Sequence, residues 1–128
     1  MPEGQGSEHQ TGPVEMTVPA RSEHLRVLRL VTASFAASLE LDIDQLDDLR
    51  IAIDELCGLL IEHAPPEAVL RLTLVGQTRR LEAAGSILGG GASAAVDPIS
   101  QLILDGLDIS WTKEEMGSFC VIAPRPVA

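Results

Sequence analysis

From Asp42 to His63 the chain reads as one long amphipathic helix, and that segment constrains everything around it. Leu46, Leu49, Ile53, Leu56 and Leu60 recur at three- and four-residue steps, so a 3.6-residue period gathers them into a single apolar stripe. Asp42, with Gln45 three residues on, has the form of a capping box, and the acidic start suits the positive end of the helix dipole. Pro65-Pro66 ends the run, because proline disfavours helical geometry in the residue before it. A helix with one long apolar stripe must lay it on another layer.

The rest of the chain supplies that layer. Val14 to Val18 alternates apolar and polar side chains as a half-buried strand does, and Pro19 closes it. A second amphipathic helix is predicted from Arg21 to Leu39, with Leu25, Leu28, Val31, Phe35 and Leu39 facing inward. Val69–Val75 and Arg80–Ala84 read as strands joined through Gly76–Arg79, a hairpin. Gly85 to Val96, with Gly89-Gly-Gly91, reads as a loop or reduced lid. Asp97 then offers an N-cap and Pro98 a first helical position, with Ile99, Leu102, Ile103 and Leu107 as the expected buried face of a short helix ending near Gly106. Asp108–Thr112 and Ser118–Ala123 read as a second hairpin turning through Lys113–Gly117. Residues 1–13, polar and Gly-containing, read as a disordered tail before a single domain at 14–126. This order predicts an α+β two-layer sandwich: a mostly antiparallel mixed sheet, helices on one face, the first strand at an edge.

Composition narrows the function. At 128 residues and 13.6 kDa there is material for one core, and with aromatics at 2% it is an aliphatic core, anchored only by Phe35, Trp111 and Phe119. The formal net charge of −10 disfavours phosphate backbones, which require clustered Lys and Arg, and suits a basic protein partner instead. No basic start followed by an apolar run marks a signal peptide, and no run of about 20 apolar residues spans a bilayer, so a cytoplasmic protein is expected. Cys57 and Cys120 are too isolated for a metal or disulfide framework and read as reduced thiols. His24 and His63 lack ligand partners at metal spacing. Trp111 reads as strand packing.

Asp54 and Glu55 stand out because two carboxylates interrupt the long helix. Arg50 lies four residues before Asp54, at pairing distance on a helix surface. The run Asp47-Asp-Leu-Arg-Ile-Ala-Ile-Asp-Glu-Leu-Cys57, with Val18-Pro-Ala-Arg21 before it and Val69-Leu-Arg-Leu-Thr-Leu after it, resembles the RsbW-type anti-sigma factors of actinobacteria, within the histidine-kinase-type ATPase superfamily. The resemblance is closest over residues 14–84.

It implies the superfamily's reduced ATPase fold, with Glu55 at the position of the general base in phosphate-transferring members. The magnesium-binding Asn of that pattern is Leu59 here, and a Leu has no oxygen to offer magnesium. Ala83 or Ala84 stands where the adenine-recognising Asp would be, and Gly89-Gly-Gly91 lacks the Lys and Ser/Thr of a phosphate loop. The resemblance therefore implies degenerate nucleotide motifs, no required cofactor, and Mg-ATP only if the pocket is retained. It makes the charged residues Arg21, Glu23, Arg26 and Arg29 partner-binding candidates. Three readings follow. The first is an anti-sigma factor that holds a stress- or development-type sigma factor and is countered by an anti-anti-sigma partner. The second is an active serine kinase of that partner. The third is a degenerate dimerisation or binding module. A homodimer is expected in each.

Overall fold

A computed structural model describes residues 11–89, 95–114 and 117–127. Strand β1 (Thr11–Pro19) leads through a single 3-10 turn at Ser22–His24 into helix α1 (Leu25–Ala37) and helix α2 (Ile43–Glu62). Strands β2 (Val69–Gln77) and β3 (Arg80–Leu88) follow, then helix α3 (Pro98–Asp105) and strands β4 (Ser110–Glu114) and β5 (Ser118–Ala123). The strands form one sheet in the order β1-β2-β3-β5-β4, with β1 at an edge as expected. Every neighbouring pair is antiparallel, so the sheet is not mixed.

The sequence signals explain most boundaries. Asp42 Oδ1 accepts from the Gln45 backbone amide at 2.8 Å and Gln45 Oε1 accepts from the Asp42 amide at 3.0 Å, so two donors free at the start of α2 are satisfied reciprocally. Asp97 Oδ1 accepts from the Ser100 amide at 2.8 Å and opens α3 as a one-way N-cap.

Several segments differ from expectation: the helix expected over Arg21–Leu39 runs only from Leu25 to Ala37 after the 3-10 turn, β2 continues through Gly76 and Gln77 into the expected turn, and β4 starts at Ser110 rather than Asp108. β1 begins at Thr11, three residues before the predicted strand; its pairing with β2 shifts register between Thr11 and Val14, where Gly12 (φ 92°) takes a left-handed conformation. The remainder of the expected tail, residues 1–10, lies outside the described residues. Gly85 to Leu88 belongs to β3 rather than to a loop, because Gly85 pairs with Phe119 and makes room for its ring; Gly90, Gly91 and the residues to Ala94 lie outside the described residues. Lys113 and Glu114 extend β4, which shortens the second hairpin turn.

The core lies between the sheet and α1 and α2. Leu70, Leu72 and Leu74 of β2, Leu81 and Ala83 of β3, and Phe119, Val121 and Ala123 of β5 face Leu28 and Ala36 of α1 and Leu49, Ala52, Ile53, Leu56 and Leu60 of α2. Each fully buried Leu or Ile contributes about 1.5–3 kcal/mol of transfer free energy, so the predicted stripe of α2 anchors the fold. α3 departs from this pattern. Only Leu104 is buried, whereas Ile99, Leu102 and Ile103, expected to face inward, point outward; Leu107 is half-buried against the core. Eight residues make barely two turns, and the apolar periodicity does not say which side of so short a helix meets the sheet.

Candidate functional site

α2 carries its acids on two flanks. Asp47 and Asp54, seven residues apart, share the flank toward α1, while Asp48 and Glu55 share the other. Arg29 Nε of α1 donates to Asp54 Oδ1 at 2.8 Å, tying the two helices together. This pair replaces the local Arg50–Asp54 pair expected from helical spacing; Arg50 turns back to Asp47 at 3.6 Å. A partner 25 residues away approaches from the facing helix and beats one on the same surface. On the other flank Asp48 Oδ2 accepts from the Asp108 amide at 2.9 Å, so α2 also holds the segment after α3.

Glu55 is half-buried on this second flank, one turn before Leu59. Leu59 is 7% exposed, and its carbonyl lies 3.2 Å from His63 Nδ1. The strand register separates Ala83 from Ala84. Ala83 points inward with Leu81 and is wholly buried, while Ala84 lies on the opposite face of the sheet. Of the two, position 83 faces the helices, and it holds a methyl group. Position 59 thus offers no oxygen donor and position 83 no carboxylate. Cavities of about 140, 360 and 480 Å³ are lined by other residues, none by Glu55 or Leu59. Among the described residues no group of three or more His, Cys, Asp and Glu side chains could hold a metal ion.

The partner-binding candidates divide. Arg21, Glu23 and Arg26 are exposed around the start of α1, whereas Arg29 is engaged with Asp54. Beside them α1 shows two aliphatic side chains that the sequence reading did not single out: Val27 is 40% exposed and Leu30 is 64% exposed. Their signal was present, since neither fits the inward stripe of Leu25, Leu28 and Phe35. Trp111 is half-buried against the core as expected, and its Nε1 also donates to Asp105 Oδ1 of α3 at 2.9 Å.

The face of the sheet away from the helices carries Glu15, Arg71, Thr73, Ser86, Glu114 and Cys120 around the 360 Å³ concavity. Arg71 Nε is buried there without a partner among the described residues. Burial pushes the Cys57 thiol well above its ordinary range, with the Asp54 charge adding to the effect. Cys120 is also raised, by partial burial and then by Glu82 and Glu114. Neither thiol is poised as a nucleophile.

An antiparallel sheet carrying helices on one face, with an acidic pair in the central helix, is the arrangement of an ATPase-type α+β domain. The family model of the histidine kinase-like ATPase domain matches residues 18–86, just over half of the chain, and the chain belongs to that family. Within it, the chain is 41% identical over 69 residues to the anti-sigma-F factor RsbW of Mycobacterium tuberculosis strain H37Rv, covering 54% of this chain and 41% of that protein. It is 41% identical over 59 residues to the serine-protein kinase RsbW of Halalkalibacterium halodurans, covering 46% of this chain and 36% of that one. Against the serine-protein kinase RsbW of Bacillus mycoides the identity is 36% over 62 residues, 48% of this chain and 39% of that protein. The chain thus spans about two fifths of the length of these relatives. The solved structure of the RsbU and RsbW domains of Rv1364c from Mycobacterium tuberculosis superposes with a TM-score of 0.63 at 18% identity, over 90% of this chain and 32% of that one. That likeness carries the fold. No helix among the described residues is long and apolar enough to cross a membrane.

Proposed function

We propose that this chain is an anti-sigma factor of the RsbW type, which works by holding a sigma factor rather than by transferring phosphate, and which an anti-anti-sigma partner displaces. The observation that carries this reading is the outer face of α1, where exposed Val27 and Leu30 sit beside Arg26, with Arg21 and Glu23 just before the helix. Apolar anchors rimmed by charge are the anatomy of a protein interface. The partner is then occluded sterically, in the cytoplasm, by a chain that also pairs with a second copy of itself. The test is a titration of the full chain against each purified sigma factor of the source genome, with Leu30→Ser and Arg26→Ala as variants. Submicromolar binding of one sigma factor, weakened at least tenfold by Leu30→Ser, is expected; no binding across the set defeats the proposal.

The kinase reading has one observation in its favour, the half-exposed carboxylate of Glu55 one turn before position 59. Calorimetry with Mg-ATP separates the two. Heat of binding that requires magnesium and disappears in Glu55→Ala would establish the kinase reading; the binding-protein reading expects none.

A further inference from the structure

α3 turns a stripe of aliphatic side chains to solvent. Ile99 and Leu102 are 73% and 76% exposed and Ile103 is 37% exposed, and three- and four-residue spacing places them on one side of the helix. Isolated exposed aliphatics are ordinary, but three on one side of a two-turn helix mark an interaction surface. The helix is firmly seated in spite of its single buried residue. Asp97 caps its start, Arg125 Nη2 donates to the Asp105 and Leu107 carbonyls at 3.2 and 2.7 Å, and Arg125 Nε donates to the Ile109 carbonyl at 3.1 Å. The Trp111–Asp105 and Asp108–Asp48 hydrogen bonds fasten the same end to the sheet and to α2. A surface held this way loses little ordering entropy when a partner arrives.

Charge selects the partner. Asp97 and Asp105 mark the two ends of the stripe, and Asp108 and Asp48 lie just past its C-terminal end, so four carboxylates stand against the one guanidinium of Arg125 at that end, in a chain of net charge −10. A second copy docked here about a two-fold axis would set these carboxylates against their own counterparts, and an anionic lipid surface would be repelled in the same way. The chain's own first ten residues, MPEGQGSEHQ, contain two glutamates and no branched aliphatic side chain, so they match neither the apolar stripe nor its charge. What matches both is a helix with aliphatic side chains at three- and four-residue steps and Lys or Arg around them.

We propose that the α3 stripe receives a basic amphipathic helix of the sigma factor, of the kind that otherwise faces promoter DNA. This rests on the sigma-binding reading above and adds to it a second contact surface and the class of segment bound. Helices that enter DNA carry clustered cations to displace counterions from the phosphates, and the acids around α3 offer those cations an alternative. Binding here and binding to DNA therefore exclude one another.

The test uses the full chain and the sigma factor that the titration above identifies, followed by fluorescence anisotropy. The double variant Ile99→Ser/Leu102→Ser is expected to bind at least tenfold more weakly while melting within a degree or two of the parent, and affinity is expected to fall as salt rises. Leu102→Lys places a cation on the stripe and is expected to weaken binding by at least as much, so one of the two variants suffices if the other folds poorly. A duplex promoter fragment should compete with the chain for the sigma factor. Binding by folded variants within twofold of the parent overturns this inference and leaves the sigma-binding reading standing. A sigma factor that holds duplex and chain together overturns the assignment to a DNA-facing helix. Absence of binding by any sigma factor overturns both readings.

Discussion

Arg29 on α1 and Asp54 on α2 form a cross-helix ion pair at 2.8 Å, and through it one half of the acidic pair in the long helix is spent on holding α1 in place. The side chains remain 41% and 34% exposed, so solvent screens much of the attraction. Arg29→Ala is expected to destabilise the domain by roughly 0.5–1 kcal/mol. Asp54→Asn should cost a similar amount, and a double-mutant cycle in urea should return a coupling of about 0.5 kcal/mol. A coupling of zero would mean the pair merely decorates the surface.

Gly85 is expected to be intolerant of even a methyl group. A Cβ there would stand 2.4 Å from Cε2 of Phe119, whose ring is packed in the core at 3% exposure. Gly85→Ala should destabilise by roughly 1–3 kcal/mol through overpacking, read as a lower denaturation midpoint at unchanged m-value. Gly85→Ala/Phe119→Leu, which removes the obstructing ring atoms, should cost less than the two single changes added together.

Arg79, in the two-residue turn between β2 and β3, has φ 65° and so occupies the left-handed region without being glycine. Arg79→Gly is expected to stabilise the domain by roughly 0.5–1 kcal/mol, because the strain relieved exceeds the extra freedom of the unfolded chain. Its backbone amide still reaches the Leu39 carbonyl after the change. A lower melting temperature would contradict this.

The buried thiol makes a prediction about alkaline pH. An unfolded cysteine of this kind ionises near pH 9.0, whereas Cys57 in the fold is raised above that value by burial and then by Asp54. The unfolded state therefore releases a proton that the folded state retains, and stability should decline as pH rises above about 9 while staying flat in this respect below it. Cys57→Ala should lessen the alkaline decline. Maleimide labelling at pH 8 should modify Cys120 slowly and Cys57 only on unfolding.

Legibility from the sequence tracked how far each signal reached along the chain. The capping box of Asp42 and Gln45, the N-cap at Asp97 and the stripe from Leu46 to Leu60 are local patterns, and each is present as read. The Arg29–Asp54 pair and the clasp of Arg125 on the end of α3 join residues 16 to 25 positions apart, and no spacing rule reveals them. α3 shows the limit most clearly: its period was correct and its buried side was not. An apolar stripe says that a helix has a preferred face, not whether that face is turned to its own core or to another protein.

Leu59 bears on which parts of the fold can change. Its side chain is only 7% exposed, almost fully withdrawn from water. An amide placed at that position would put a polar group where the side chain is almost fully buried, at a cost of about 1–3 kcal/mol if it finds no partner, a sizeable part of the stability of a typical domain. Substitutions of exposed side chains on the outer sides of α1 and α3 disturb no such packed position, so the fold leaves those two surfaces freer to vary than the inner side of α2.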